Sequence, residues 1–453
     1  MEIIQQNTFE KYPVYKDSGI CDIGDLPDNW KLNRFRNLFS FSKGLNITKE
    51  NLQEDGIPCV NYGEIHSKYG FEVNPEINVL KCVDEDYLLD SPKSLLKYGD
   101  FVFADTSEDI EGSGNFTYLN SNTRTFAGYH TVIARLKKTD IDHRFLAYQI
   151  DSKSFRDQIR KAVKGVKVYS ITNGILKNTT LWFPPLPEQT AIAHFLDEKT
   201  AKIDQAIAQK EQLITLLKER KQIMIQELVT GKKVWNGTTW AAPEKTKDSG
   251  IDWIGKIPVG WEVKTNNLLF QERKEPGQEG LPLLSVSIHT AVSSEEIDST
   301  DNIQGRIKIE DKSKYKFVKS GDIVFNMMRA WQGAIGAVRV DGMVSPAYVV
   351  AKPLADFNSD FLEFQYRTPD YIQQIDRFSK GITDFRKRLY WDEFKQLNVI
   401  LPSREIQDLI SDFIHSESSK IDQSISFQEQ QIEKLREYKA TLIDSAVTGK
   451  VMV

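Results

Sequence analysis

Residues 188–230 contain neither glycine nor proline, and the long helix they imply is written twice in the chain. Ile203, Ile207, Ile214, Leu217, Met224 and Leu228 fall on alternating four- and three-residue steps. A 3.5-residue seam of this kind belongs to a helix that packs along another helix. The same steps land on Lys210 and Lys221, so two of the eight seam positions are polar. At an offset of 218 the seam returns as Ile421, Ile425, Gln428, Ile432, Leu435, Lys439, Leu442 and Ala446, polar at the same two places. Lys202-Ile203-Asp204-Gln205 returns as Lys420-Ile421-Asp422-Gln423, and Thr230-Gly231-Lys232 as Thr448-Gly449-Lys450. A duplicated helix has an obvious partner in its own copy. Polar residues in such a seam set register at some cost in stability.

The duplication extends beyond the helix. Lys16-Asp17-Ser18-Gly19-Ile20, Ile23-Gly24, Pro27 and Trp30 recur, all at an offset of 231, as Lys247-Asp248-Ser249-Gly250-Ile251, Ile254-Gly255, Pro258 and Trp261. Gly99-Asp100-Phe101-Val102-Phe103 recurs as Gly321-Asp322-Ile323-Val324-Phe325, at an offset of 222. The offset shrinks between the Trp and the helix, so insertions concentrate there while the helices keep their length. Residues 100–104, 131–136, 322–327 and 348–351 read as strands, being β-branched or aromatic and bounded by Gly and Asp. Residues 145–163 and 361–378 have helical spacing and stop before Gly165 and Gly381. The polar stretch 233–248, with Asn236-Gly237 and Pro243, reads as a linker.

The expected fold class is therefore α+β. Two tandem α/β domains are separated by two long helices that pair as an antiparallel coiled coil, in a pseudo-two-fold internal repeat. The expected boundaries are 1–184 (first domain with an N-terminal arm), 185–232 (first spacer helix), 233–400 (linker and second domain) and 401–453 (second spacer helix). About 35 residues of helix, 195–229, make a rod of about 50 Å. That is about one and a half turns of a DNA duplex.

Composition excludes some functions. The chain has 453 residues, 40% hydrophobic and 27% charged, ordinary for a soluble protein of two or three domains. Its three widely spaced cysteines suit a reducing, cytoplasmic setting better than a disulfide framework. No signal peptide or membrane-crossing apolar run is apparent. The histidines and cysteines show no metal-ligand spacing, so no metal is expected. Gln226 stands where a phosphate loop ending at Thr230-Gly231-Lys232 would need glycine, so those residues read as a helix cap. An Asn-Pro-Pro-aromatic loop and a Gly-rich methyl-donor loop are both missing. No catalytic residue is expected, and the chain reads as no enzyme.

At this point the chain resembles the specificity subunits of type I restriction-modification systems. The resemblance rests on Pro185-Leu186-Pro187-Glu188-Gln189 leading into the long helix, Thr230-Gly231-Lys232 closing it, the duplicated Gly-Asp strand, and residues 321–333 with Ser345-Pro346-Ala347-Tyr348. The second copy departs at Arg404-Glu405-Ile406, although Gln407 still matches Gln189. The resemblance implies two target-recognition domains, each reading half of a bipartite, asymmetric sequence in double-stranded DNA. The helices would set the gap between the halves. It also implies a phage-defence complex with two methyltransferase (M) subunits and motor-nuclease (R) subunits. Adenine N6 methylation or cleavage would lie in those partners, which use S-adenosylmethionine, ATP and Mg; this chain would hold no cofactor and touch no membrane. A coiled-coil scaffold with two protein-binding ends is the alternative.

DNA contact calls for cations at phosphates and donors or acceptors at base edges. Residues 151–169 carry a balance of +4 and residues 367–391 a balance of +3, with aromatics nearby, although a net charge of −5 argues against the chain as a whole. Charge runs are commonly just solvated faces, but both copies hold one at the same point. Candidates are Arg160, Lys161, Lys164, Lys167 and Tyr169 in the first copy, and Lys380, Arg386, Lys387, Arg388 and Tyr390 in the second. Lys43, Tyr62, Arg124, Ser287, His289, Arg329 and Gln332 join them as loop candidates, with structural capping as the competing reading near Tyr62 and Ser287.

Overall fold

The computed structural model describes residues 10–20, 23–138, 140–165, 168–293, 314–381 and 387–453. Each breaker-free stretch is one unbroken helix of 44 residues, Leu186–Val229 and Arg404–Val447. Pro187 falls in the first turn, where its missing N–H costs nothing. Both helices run into glycines with left-handed backbone, Gly231 at φ +72° and Gly449 at φ +68°. The chain divides into two compact units, residues 1–210 with 430–453 and residues 211–429. Each long helix therefore begins in one unit and ends in the other.

In the first unit, a five-stranded mixed sheet carries the core. Its strands are β1 (Phe39–Lys43), β2 (Glu72–Val73), β3 (Phe101–Ala104), β4 (Phe116–Leu119) and β5 (Thr131–Leu136), in the spatial order β1-β5-β3-β4-β2. The β4–β2 pair is parallel and the others antiparallel. Phe101 and Phe103 face one core with Trp30, Phe145 and Phe155, while Val102 and Ala104 face another with Val60 and Ile65. The sheet is thus covered on both faces. Ile65 lies on α1 (Tyr62–Ser67), and the larger core takes α2 (His143–Asp151), α3 (Lys153–Arg160) and the start of the first long helix, α4. Fully burying each large apolar side chain contributes about 1.5–3 kcal/mol.

The second unit has a comparable layout around a four-stranded sheet. Strands β6 (Phe270–Glu272), β7 (Ile323–Asn326), β8 (Ile335–Ala337) and β9 (Tyr348–Pro353) lie in the order β6-β9-β7-β8, all antiparallel. Ile323 and Phe325 face one core and Val324 the other. Helices α5 (Ser359–Tyr366), α6 (Pro369–Phe378) and the start of the second long helix, α7, complete it.

The repeated Gly-Asp positions are structural. Arg135 holds Asp100 through Nε and Nη2 at 2.9 and 2.6 Å; Arg273 holds Asp322 through Nε and Nη2 at 2.8 and 3.1 Å. Each carboxylate also accepts the backbone N–H three residues earlier, from Lys97 or Lys319. The repeated Pro-x-x-Trp phrase is equally structural, because it seats a helix end. A Cβ on Gly449 would lie 2.5 Å from Pro27, and one on Gly231 would lie 2.6 Å from Pro258.

Within each unit the long helices pack together, ascending residues of one against descending residues of the other. In the first unit Asp204 accepts Lys439 and Lys210 meets Gln431, with Ile203, Ile207, Leu435 and Leu442 in the core. In the second, Lys221 pairs with Asp422 at 2.7 Å. Ile214, Ile421, Ile425 and Ile432 are buried, and Leu217 is half-buried. The polar seam residues Lys221 and Lys439 thus make the same ion pair under the 218-residue offset. These pairs are more than a quarter exposed and contribute about 0–1 kcal/mol each. The buried isoleucines therefore contribute more to this packing than the ion pairs do.

Two expectations need correction. Residues 145–163 are not one helix: Ser152, extended at ψ 149°, ends α2 and caps α3 by accepting Phe155 N–H with its hydroxyl. Residues 361–378 break at Thr368, because Pro369 forces the preceding residue out of helical geometry. The 233–248 stretch is also more than a tether. Val234–Trp235 pairs with Trp240–Ala241, and Trp240 lies 5.1 Å from Phe413.

The junction of α5 and α7 holds a cluster of titratable groups. His415 Nε2 lies 3.1 Å from Asp360 Oδ2, with Arg339 and Glu363 alongside and Phe364 packed on the imidazole. The Asp360 hydrogen bond holds the imidazole above its usual 6.5, and His415 in turn holds Asp360 below the usual carboxylate value. A raised folded-state histidine contributes stability that is present below pH 6.5 and lost as pH rises through the folded value. Because the pair is partly exposed, the effect is below about 1 kcal/mol. Between pH 6 and 8.5, Tm should fall by no more than about 3 °C, and His415→Gln should flatten that slope in a thermal melt series.

Candidate nucleic-acid interface

In the first unit the loop that follows β3 is the meeting point. Residues 105–115 are pinned from several sides. His66 Nε2 lies 2.9 Å from Thr106 O, and His66 Nδ1 lies 2.9 Å from Asn115 Nδ2. A backbone carbonyl can only accept and an amide nitrogen only donates, so Nε2 donates to Thr106 O and Nδ1 accepts from Asn115. Asn115 Oδ1 accepts Arg156 Nη1 at 2.7 Å, and Arg156 Nη2 donates to Asp151. Arg160 Nη2 donates to the Glu111 carbonyl at 2.6 Å. Tyr169–Ser170 pairs as a strand with Thr106–Ser107.

Beside this loop, Tyr62 forms edge contacts with Tyr129 at 5.6 Å and His130 at 5.4 Å. His130 is exposed at φ +56°, a left-handed conformation uncommon outside glycine, and its Nδ1 lies 3.2 Å from Asp105. Lys43 ends β1 opposite Val132, two residues from His130. Lys161 and Lys164 are exposed on the turn after α3. The structure thus gathers Tyr62, Arg160, Tyr169 and the lysine turn around one loop. Arg124 is exposed, and among the described residues no hydrogen bond or ion pair joins it to this group. Lys167 lies outside the described residues. Asn61 is buried as the cap of α1, where its N–H donates to Glu64 at 2.7 Å.

The second unit builds its counterpart from the loop after β7. Arg329 and Gln332 are exposed on a turn whose Trp331 donates to Met328 O. Lys387 lies 5.3 Å over the Trp331 ring and is paired with Asp376 at 2.7 Å. Backbone bonds between Lys380 and Arg388, and from Leu389 to Met327, hold the basic segment against this turn. Lys380 is paired with Glu393; Arg388 and Tyr390 are exposed. Arg386 lies outside the described residues. Ser287 Oγ accepts the N–H groups of His289 and Thr290, and Arg367 donates to the carbonyls of Ile288, His289 and Gly333. Burial lowers the Arg367 pKa, and its bonds clamp the Ser287 turn beside the Arg329 turn.

Sequence reasoning singled out the loop after β7 but missed the matching loop after β3. Its signal was the turn composition of Asp105, Ser107, Asp109, Gly112 and Gly114. Unlike its counterpart it is acidic, with Glu108, Asp109 and Glu111 exposed. Carboxylates accept from cytosine amino groups and repel phosphates. Among the described residues there is no group of three or more His, Cys, Asp or Glu placed to hold a metal ion, and no helix long and apolar enough to cross a membrane.

Comparison with known proteins matches residues 27–216 to the type I restriction modification DNA specificity domain. Over those residues the chain is similar to type I restriction-modification specificity subunits. The MjaVIII specificity subunit of Methanocaldococcus jannaschii is 26% identical over 213 residues, 47% of this chain and 48% of that protein. The EcoBI specificity subunit of Escherichia coli is 27% identical over 268 residues, 55% of this chain and 53% of that protein. The chain spans about half the length of these two specificity subunits. A putative MjaX specificity subunit from M. jannaschii is 22% identical, with 97% of this chain and 98% of that one covered. A solved chain from a study of complex assembly and conformational transition of the type I R-M system covers 93% of this chain and 98% of its own, at 13% identity and a TM-score of 0.65. That likeness supports the α+β fold, with its mixed sheet and packed long helices.

Proposed function

We propose that this chain is the DNA target-recognition subunit of a type I restriction-modification complex. Each unit reads one half of a bipartite, asymmetric duplex sequence, and the long helices act as an antiparallel coiled-coil ruler for the gap. The chain docks two methyltransferase subunits and, for restriction, motor-nuclease subunits, in the cytoplasm. S-adenosylmethionine, ATP and Mg serve adenine methylation or cleavage in those partners, and this chain contributes no catalytic group. The observation that carries the reading is the repeated construction of the two faces. In both units the loop after the Gly-Asp strand meets the basic segment that follows the short helix pair. Exposed cations there suit phosphates, while Tyr62, His130, Gln332 and Tyr390 offer base-edge or stacking chemistry.

The deciding experiment expresses the chain with its methyltransferase partner in an unmethylated host and maps modified adenines by long-read sequencing. A bipartite motif with a fixed gap, lost when the chain is omitted, is the expected result. A soluble complex that leaves DNA unmodified would favour the scaffold reading instead. Deleting one heptad from both long helices should change the gap and leave both half-sites intact.

Removing one exposed cation per face, Lys164→Ala or Arg388→Ala, should weaken duplex binding about equally across sequences. Each should also lower the salt slope of the binding constant by about 1, read by fluorescence anisotropy over a salt series. An unchanged slope would remove that residue from the phosphate contacts.

A further inference from the structure

The helix ends dock on their domains through bonds of opposite direction. In the first unit, Ser154 on α3 donates from N and Oγ to Asp444 Oδ1 near the end of α7, at 2.9 and 2.7 Å. In the second, Gln226 near the end of α4 donates from Nε2 to Asp370 Oδ2 on α6, at 2.8 Å. The positions correspond: Asp370 follows Ser154 by 216 residues and Asp444 follows Gln226 by 218. Conserved geometry supports the same alignment. Asp142 N–H donates to Gln189 Oε1 at 2.9 Å, and Asn358 N–H, 216 residues on, donates to Gln407 Oε1, 218 residues on, also at 2.9 Å. The domain donates and the helix accepts in the first unit, and the roles reverse in the second.

The ion pairs of the helix seam have no such direction. Asp204 pairs with Lys439, and Lys221 with Asp422. Each helix carries the same Asp and the same Lys at matching places, so α4 could pair with a second α4 through identical bonds. One seam contact does differ. Lys210 meets Gln431, and the residue of α4 that matches Gln431 is Leu213.

We propose that these two asymmetric contacts select the partner of each half. The surface fits the other half of this chain and rejects a second copy of the same half. Two second halves paired with each other would set Asp370 against Asp444, whose side chain is 15% exposed and already satisfied on its other oxygen by Lys450 at 2.9 Å, so the two hydrogen bonds that Ser154 donates would be exchanged for a second carboxylate, and two-fold symmetry would do so twice. Two first halves would set Lys210 against Leu213, again twice, and would replace Asp444 with Gln226 opposite Ser154. Like charges in contact favour the alternative pairing in which they are separated.

The test uses the full-length chain. Gln226→Asp places the wrong helix end opposite Asp370 and should lower Tm by about 3 °C. Adding Asp370→Ser installs the first unit's pair in the second unit and should restore Tm. The reciprocal series, Asp444→Gln followed by Ser154→Asp, repeats the test in the first unit should either single variant fold poorly. With Gln226→Asp and Asp370→Ser together, both units use the same pair. Light scattering after refolding over a range of protein concentrations should then show a dimer fraction several-fold above wild type. A single variant that melts like wild type, a second change that fails to rescue, or a dimer fraction unchanged in the double variant would each overturn the proposal.

Discussion

Replacing Asp322 with alanine is expected to be among the most damaging single changes in this protein, costing about 3–5 kcal/mol. Arg273 and Asp322 are buried together, their side chains 6% and 1% exposed. Removing the carboxylate leaves a guanidinium with no water to replace two hydrogen bonds, and it also orphans the Lys319 N–H. Arg273 retains Glu275, but that carboxylate is half exposed and supplies little. The matching change, Asp100→Ala, should cost less. Arg135 is 29% exposed and keeps a bond to the Leu95 carbonyl, so its charge can turn toward water. Urea unfolding of the two variants should therefore separate by 1 kcal/mol or more, in the order Asp322→Ala worse than Asp100→Ala. Equal losses would mean that the turn geometry, rather than the buried charge, sets the cost.

The same pair marks the limit of what sequence shows. The Gly-Asp strand was legible because it is repeated and because alternating burial on both faces produces an apolar run. The arginine that holds the aspartate was not legible. It comes from β5 in the first unit and from the residue after β6 in the second, so no fixed spacing connects it to its partner. The helix seam was legible for the opposite reason: burial along a helix has a fixed period and needs no knowledge of distant contacts. The split between α5 and α6 was signalled by Pro369, whereas the split at Ser152 depended on one hydroxyl preferring a cap to a helix interior.

The candidate faces divide similarly. The basic segments could be found by counting charge. Several of their cations turn out to be committed: Arg156 to Asn115 and Asp151, Lys387 to Asp376, and Arg367 to five carbonyls. Counting cannot separate a clamp from a contact. The loop after β3 is hidden by its acidity, because an excess of positive charge is what marks phosphate contacts in a sequence. Its importance lies in what it touches, namely Arg160, His66 and Tyr169, which are distant in sequence.

Gly449→Ala should cost about 2–5 kcal/mol, and the reason bears on what Thr-Gly-Lys does in this protein. Gly449 sits at φ +68°, where a Cβ costs about 1–2 kcal/mol in the backbone alone. Here the added methyl would also meet the Pro27 ring at 2.5 Å and approach Trp30 at 3.4 Å, forcing apart the joint between the end of α7 and the repeated phrase. Overpacking of that kind adds about 1–3 kcal/mol. Gly24→Ala separates the two effects. Gly24 has nearly the same backbone, φ +72°, with nothing within 4 Å of the new Cβ, so it should show the backbone cost without the clash. In the second unit, Gly231→Ala and Gly255→Ala form the same comparison, with Pro258 as the obstacle. Thermal melts that rank Gly449→Ala and Gly231→Ala well below their controls would establish Thr-Gly-Lys as a docking end, its threonine hydroxyls already bonded back to the carbonyls of Gln226 and Asp444. If all four variants fell together, the left-handed backbone alone would account for the glycine, and the Pro-x-x-Trp seat would need another reason to be repeated.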